Sequence, residues 1–441
     1  MRRLPPLAAA SAPTLAPTLP RTLAGTLAAV LVTSLGVGLL GTVPGAPAAA
    51  EESAVTAAAP ARKIDLTRWD STRRLRRGNL SGTRVAAGRV EFDERVRTRR
   101  HAGTRYDVAH WTSPWRAPGF SFTNLIASWS ARTPGDSWVE IQVRGRSAAN
   151  GGSRTNWDTL GRWAASDRHL RRSSVSGQDD DGTSVNVDTW RTGGLASYQV
   201  RVALLRRTGT GAMPSIDLVT AMTSRLPTRA GATSRPGPAA GKVLAVPRYS
   251  QMIHRGHYPA WGNGGEAWCS PTSTSMVLGY YGALPKARAY RWVPRDHTNP
   301  WVDYAARMTY DHDYDGTGNW PFNTAYAAPR AGKAFVTRLR SLREAERFIV
   351  AGIPLVVSIA FDRGELDGAP ISSSGGHLLV IRGFNKAGDV VVNDPAAANN
   401  KGVRRTYRRD QLEKIWLEAS GGLTYVIHDA AHPLPESSGR W

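Results

Sequence analysis

The sequence has 441 residues and a single cysteine, Cys269. A lone thiol cannot form an intramolecular disulfide, nor a structural zinc site of the usual multi-thiolate kind. Lysine is also scarce, confined to Lys63, Lys242, Lys286, Lys333, Lys386, Lys401 and Lys414, so the net charge of +22 is carried by arginine. Such a charge favours acidic partners, but here it is spread along the chain. Its only dense runs are Arg73-Arg74, Arg76-Arg77 and Arg95 to Arg100, and no nucleic-acid-binding motif accompanies them. The reading is therefore a solvated, arginine-rich surface with an anionic wall polymer as a possible partner, and no nucleic acid. No internal repeat is present. Beyond the first fifty residues no run is long and apolar enough to cross a bilayer, so no stable membrane insertion is expected.

The start of the chain reads as a targeting segment. Met1-Arg2-Arg3 and Arg21 supply positive charge, Leu23 to Val43 is uncharged and rich in small apolar residues, and Ala48-Ala49-Ala50 fits a cleavage site. Residues 1–50 are read as a signal peptide and 51–63 as a disordered lead-in, which makes the protein secreted and in reach of the cell wall. An unpaired, reactive thiol is a liability outside the cell unless it is buried or used.

The remainder divides by periodicity. Residues 64–225 read as β: Trp138 to Arg144 alternates with Val139, Ile141 and Val143 on one face, and Tyr198 to Leu204 and Ser184 to Asp188 alternate likewise. Short strands, polar turns and no long helix indicate an antiparallel β-sandwich. Residues 226–242, with Arg235-Pro236-Gly237-Pro238, form a linker. Residues 243–430 mix α and β. Ser341-Leu342-Arg343-Glu344 is a capping box for a helix ending at Gly352. Pro354 to Phe361 is a buried strand, Asp410 and Glu413 open another helix, and Leu423 to His428 is a closing strand. Residues 431–441 form a tail. The fold class is multidomain, a β-sandwich followed by an α+β domain, and a monomer is expected.

Three segments of the second domain carry chemistry. Cys269 precedes Ser270, suited to an N-cap, and Pro271, suited to a first helical turn, with a helix over Thr272 to Tyr281 stopped by Gly282. Helix amides and dipole favour a thiolate there. His377 opens a strand that pairs with Asp389 to Asn393 across the turn Asn385-Lys386-Ala387-Gly388. If that turn centres near Lys386 and Ala387, Asp394 falls opposite Leu379, on the face of His377 and within reach of its ring. Cys269 as nucleophile, His377 as base and Asp394 as orienter then form a triad, with Asn393 in reserve but pointing to the other face. Gln251 precedes the nucleophile and offers a side-chain amide to an oxyanion, beside the backbone N–H of Cys269. The blander fates are a buried hydrophobe for Cys269, an Asp-Pro turn for Asp394 and a surface amide for Gln251.

Gln251, Trp268-Cys269-Ser270-Pro271-Thr272-Ser273, Gly376 to Phe384 and Val392-Asn393-Asp394-Pro395 together resemble the peptidase C39-like family of secreted bacterial proteins, and the arginine- and alanine-rich style looks actinobacterial. The resemblance covers about residues 243–430. It implies a papain-like cysteine peptidase fold with Cys269, His377, Asp394 and Gln251 in the roles above. The chain departs from bacteriocin-processing members in a longer insertion between Gln251 and Cys269 and in having no transporter or ATPase segment, so double-glycine leader cleavage is not implied. The expected activity is cleavage of peptide or amide bonds. Alternatives are a wall hydrolase cutting peptidoglycan cross-links or the sugar–peptide amide, and a catalytically silent C39-like binding protein.

Other motifs are weaker. Asp311 to Gly316 imitates the start of a calcium loop, but Phe322 stands where the bidentate glutamate belongs, and a polar loop is expected. His254 and His257 could be metal ligands but lack carboxylates at ligand spacing, so they read as cleft-rim or surface residues, and neither a metal nor a cofactor is expected. Trp129, Trp138, Trp157, Trp163 and Trp190 suit either a sugar-stacking platform or a sandwich core, the latter being the commoner use.

Overall fold

A computed structural model describes residues 61–148, 152–437 and 441. The expected signal peptide lies outside them. Among the described residues no helix is long and apolar enough to cross a membrane.

Residues 63–225 build two antiparallel sheets. One runs, in spatial order, Thr183–Asn186, Thr189–Leu195, Phe122–Arg132, Ser215–Arg225, Arg89–Phe92 and Thr83–Ala86, with Lys63–Trp69 also paired to Ser215–Arg225. The other runs Asn79–Ser81, Thr104–Thr112, Ser197–Arg207, Ser137–Arg146 and Asp158–Trp163, with Arg97–His101 on the second of these. Alternation sets the register. Val139, Ile141 and Val143 stand opposite Leu204, Val202 and Val200, and all six are buried. A slip of either strand by one residue would turn its three toward the other face. The segment Ser184 to Asp188 is shorter than its alternation suggests. The strand ends at Asn186, and Val187-Asp188 makes a two-residue hairpin turn with Val187 at φ 55°. That conformation is unfavourable for a β-branched residue.

The second part is one antiparallel six-stranded sheet, in the order Lys333–Arg338, Leu423–His428, Leu355–Phe361, Ser374–Phe384, Val390–Asn393 and Arg404–Tyr407. Helices Cys269–Tyr280, Pro300–Thr309, Trp320–Ala331, Leu342–Val350 and Arg409–Ser420 accompany it. Ser341 caps the fourth of these by accepting from the Glu344 N–H, as its capping box predicts. Glu413 does not cap its own helix. Its carboxylate instead accepts from the Ser234 and Leu342 backbone N–H groups.

The two parts share one hydrophobic core. Phe322, fully buried at the start of helix Trp320–Ala331, packs its ring 6.0 Å from that of Trp129 and 5.2 Å from that of Trp163. The segment expected as a free linker is strapped down. Arg409 donates to the Ser234 carbonyl at 2.6 Å and to Glu346 at 2.8 Å, and the Ala239 N–H donates to Glu346 at 3.2 Å. Of the five tryptophans considered for a sugar platform, Trp129, Trp138, Trp163 and Trp190 are core. Trp157 stays at the surface, beneath the guanidinium groups of Arg144 and Arg201.

Candidate functional site

Helix Cys269–Tyr280 begins one turn earlier than the sequence suggests. Trp268 occupies the N-cap position without a side-chain cap, and Cys269 is the first helical residue. Ser270 is inside the helix, its hydroxyl 2.9 Å from the Tyr425 hydroxyl. Pro271 supplies the rigid first turn. Ser273 donates to the Leu378 carbonyl at 3.1 Å, which fixes this helix against the strand that carries His377. Cys269 is half-buried and lines a cleft of about 580 Å³, along with Gln251 and His377.

His377 stands opposite Ile359 in strand Ser374–Phe384. Its Nε2 is 2.8 Å from Asp394 Oδ1. The pairing of Val380 with Asn393 places Asp394 opposite Leu379, but not by way of the expected turn: next to the turn Phe384 pairs with Val390, one residue off the expected register, and a shift between Ile381 and Gly383 restores it. Asp394 is also held by the Tyr407 hydroxyl, which donates to Oδ2 at 2.6 Å, and by the Ala396 N–H at 2.9 Å. Burial works against a charged His377, but the Asp394 carboxylate and the Cys269 side chain outweigh it and raise the imidazole to about 10. Burial likewise opposes ionisation of Asp394, and the facing His377 with the Tyr407 hydroxyl more than compensates, holding it below the ordinary carboxylate range. The pair is thus an imidazolium braced by a carboxylate, with ring Nδ1 remaining for the thiol.

Gln251 is buried, and its backbone N–H donates to the Pro395 carbonyl at 2.8 Å, beside Asp394. One side-chain N–H is held by the Glu266 carbonyl, and Oε1 has no partner among the described residues. Asn393 faces away, donating to the Pro247 carbonyl at 2.8 Å and accepting from Arg382.

Two parts of the cleft are not legible in local sequence. Tyr407 is a strand residue with no motif around it. The hairpin tip of the first part supplies Val187, Asp188 and Arg191 to the cleft wall. Asp188 accepts from the Trp320 N–H at 2.8 Å and the Thr189 hydroxyl at 3.1 Å, and burial pushes it up to about 7. The loop that imitates a calcium site forms another wall through Tyr314 to Gly318. Its buried Asp311 carboxylate accepts from the backbone N–H of Ser174, Asp313 and Tyr314 and from Asn319 Nδ2. Those bonds leave it organising the loop.

Fold and cleft together define a two-part, β-rich protein with a thiol and an imidazole lining one cleft and a buried carboxylate bonded to that imidazole. Residues 65–224 match the Peptidase C39 N-terminal domain, and residues 243–423 match the Peptidase_C39 like family. The two matches stand in an actinobacterial-type order, a C39 N-terminal domain followed by a peptidase C39-like domain, and the second points to a peptidase-related function. No curated protein matches the chain in sequence. Among solved structures, a family two carbohydrate esterase from Cellvibrio japonicus is similar at 10% identity over 50% of each chain, with a TM-score of 0.17. The chain thus spans about half the length of that protein, and at this score the likeness bears on neither fold nor function.

Proposed function

We propose that this chain is a cysteine-type hydrolase of papain-like fold that cleaves peptide or amide bonds. The observation that carries the reading is His377, locked at 2.8 Å on Asp394 in the cleft that Cys269 lines. In the proposed cycle the Cys269 proton already rests on the His377 ring, and the thiolate sulfur attacks the substrate carbonyl carbon. The oxyanion accepts from the Cys269 N–H, which has no intrahelical acceptor at a helix start, and from the second N–H of the Gln251 amide. His377 returns its proton to the leaving amine, giving a thioester. It then takes a proton from water as that water attacks, and the acid is released with the thiol restored.

Asp188 and Arg191 belong to this cleft, so the first part is proposed to select substrate there as well as to support the second. Export and action on wall peptides are part of the same proposal and rest on the leader pattern and the arginine-rich surface. The test is mass spectrometry of products after incubating the protein with a peptide library and, separately, with purified sacculi. Products absent from a Cys269→Ala control support the reading and identify the bond. Intact substrates in both arms, with Cys269 inert to an electrophilic thiol probe, would favour a silent binding protein.

A further inference from the structure

A second cluster of reactive side chains lies on the insertion between Gln251 and Cys269. His254 ends the short turn Met252–His254, His257 follows it, and both face Asp303 of helix Pro300–Thr309. His254 and Asp303 are fully buried. Nδ1 of His257 is 2.9 Å from Asp303 Oδ1, and Nδ1 of His254 is 3.0 Å from Oδ2. His297, stacked on His257 with ring centres 3.5 Å apart, brings its Nδ1 to 3.2 Å from Oδ1.

Hydrogen bonds account for only part of this. The approaches of His257 and His297 to Oδ1 are hydrogen bonds. The His254 approach to Oδ2 is short but not aligned as one, and both His254 ring nitrogens and Oδ2 are left buried without a partner. Orphaned polar atoms at zero exposure are costly, and they call for a ligand. We infer that His254, His257 and Asp303 hold a divalent transition-metal ion of the zinc class, with His297 supporting the carboxylate from outside.

The donor set is imidazole and carboxylate, which suits zinc. Donor atoms of the three residues lie within 4.8 Å of one another. Bonds of 2.0–2.1 Å to a tetrahedral ion separate its ligand atoms by about 3.3 Å, close to the nitrogen–oxygen distances found. Sequence alone misses the group because its carboxylate is far from the two histidines along the chain. The ion would brace the insertion that separates Gln251 from Cys269. The His254 N–H donates to the Gln251 carbonyl at 3.0 Å, and a Cβ on Gly265 would come within 2.0 Å of the His254 carbonyl oxygen.

The test uses the full chain and its Cys269→Ala variant, so that an ion on the thiol is not mistaken for one here. Each is stripped with a chelator, refilled with Zn²⁺ or Co²⁺, and examined by elemental analysis, visible spectroscopy and thermal melting. The expected result is one ion per chain in both proteins, d–d bands with Co²⁺, and a melting point raised by about 3–6 °C on refilling. His257→Ala, at a part-exposed position, should lose the ion, while His297→Ala should keep it with weaker affinity. Cys269→Ala protein that binds no Co²⁺ and melts identically with and without metal would overturn the proposal. So would His257→Ala binding the ion as tightly as the unsubstituted chain.

Discussion

Phe322→Ala probes whether the two parts of the chain stand or fall together. The ring is fully buried between Trp129 and Trp163, and even a Cβ on Gly161 would lie 3.1 Å from it, so the pocket is already closely packed. Truncating such a phenylalanine costs about 3–5 kcal/mol, from lost burial plus the cavity left behind. The edge-to-face contact with Trp129 and the tilted one with Trp163 place this site toward the upper end. In guanidinium chloride, with a slope of about 5 kcal/mol/M for a unit of this size, the midpoint should fall by roughly 0.6–1 M. The assay is unfolding followed by tryptophan fluorescence and far-UV circular dichroism. Because the core is continuous, both probes should show one shared transition in the native and substituted proteins. Two separated transitions, with only the later segment shifted, would refute the reasoning, as would a loss below about 1 kcal/mol.

Tyr407→Phe removes one of three hydrogen bonds to Asp394, and a bond to a charged acceptor contributes about 1.5–3 kcal/mol. Turnover should fall about tenfold, with His377 still held, and steady-state kinetics on whichever substrate the product screen identifies will show it. Asp188→Asn should alter the pH dependence of stability. A carboxyl raised to about 7 adds nothing where folded and unfolded states are both protonated, below about 4. It destabilises increasingly as pH rises, with the full effect above 7. The variant should match the unsubstituted protein near pH 4 and exceed it by roughly 2–4 kcal/mol at pH 8, one pKa unit being about 1.4 kcal/mol. Equal stabilities at pH 8 in denaturant titrations would contradict the buried position of this carboxylate.

The features legible in the sequence are those set by local period and turn chemistry. Val139, Ile141 and Val143 declare their face by alternation, and the hairpin around Asn385 to Gly388 is declared by its turn residues, whereas the register shift between Ile381 and Gly383 that brings Asp394 opposite Leu379 is not. The helix that carries Cys269 is announced by Pro271, although its start at Cys269 is not, because a tryptophan takes the N-cap position with no capping bond. Features that depend on distant partners are not visible in this way. Asp188 reads as the end of an alternating strand until the hairpin folds it against Trp320. The proline-rich stretch reads as a tether because its anchors, Glu346, Arg409 and Glu413, lie more than one hundred residues away. His254 and His257 stand out by residue type, but Asp303 joins them only through tertiary packing.

The central claim is that Cys269 and His377 act as a pair, and the alkylation rate of Cys269 by iodoacetamide at pH 7 tests it most directly. His377, braced by Asp394, is the one imidazole lining the cleft of Cys269 among the described residues. The account predicts rapid alkylation in the native protein and a loss of about tenfold or more in His377→Ala, because the paired cation that supports the thiolate is gone. Circular dichroism should show the variant still folded. A folded His377→Ala protein that alkylates at the native rate would contradict the account.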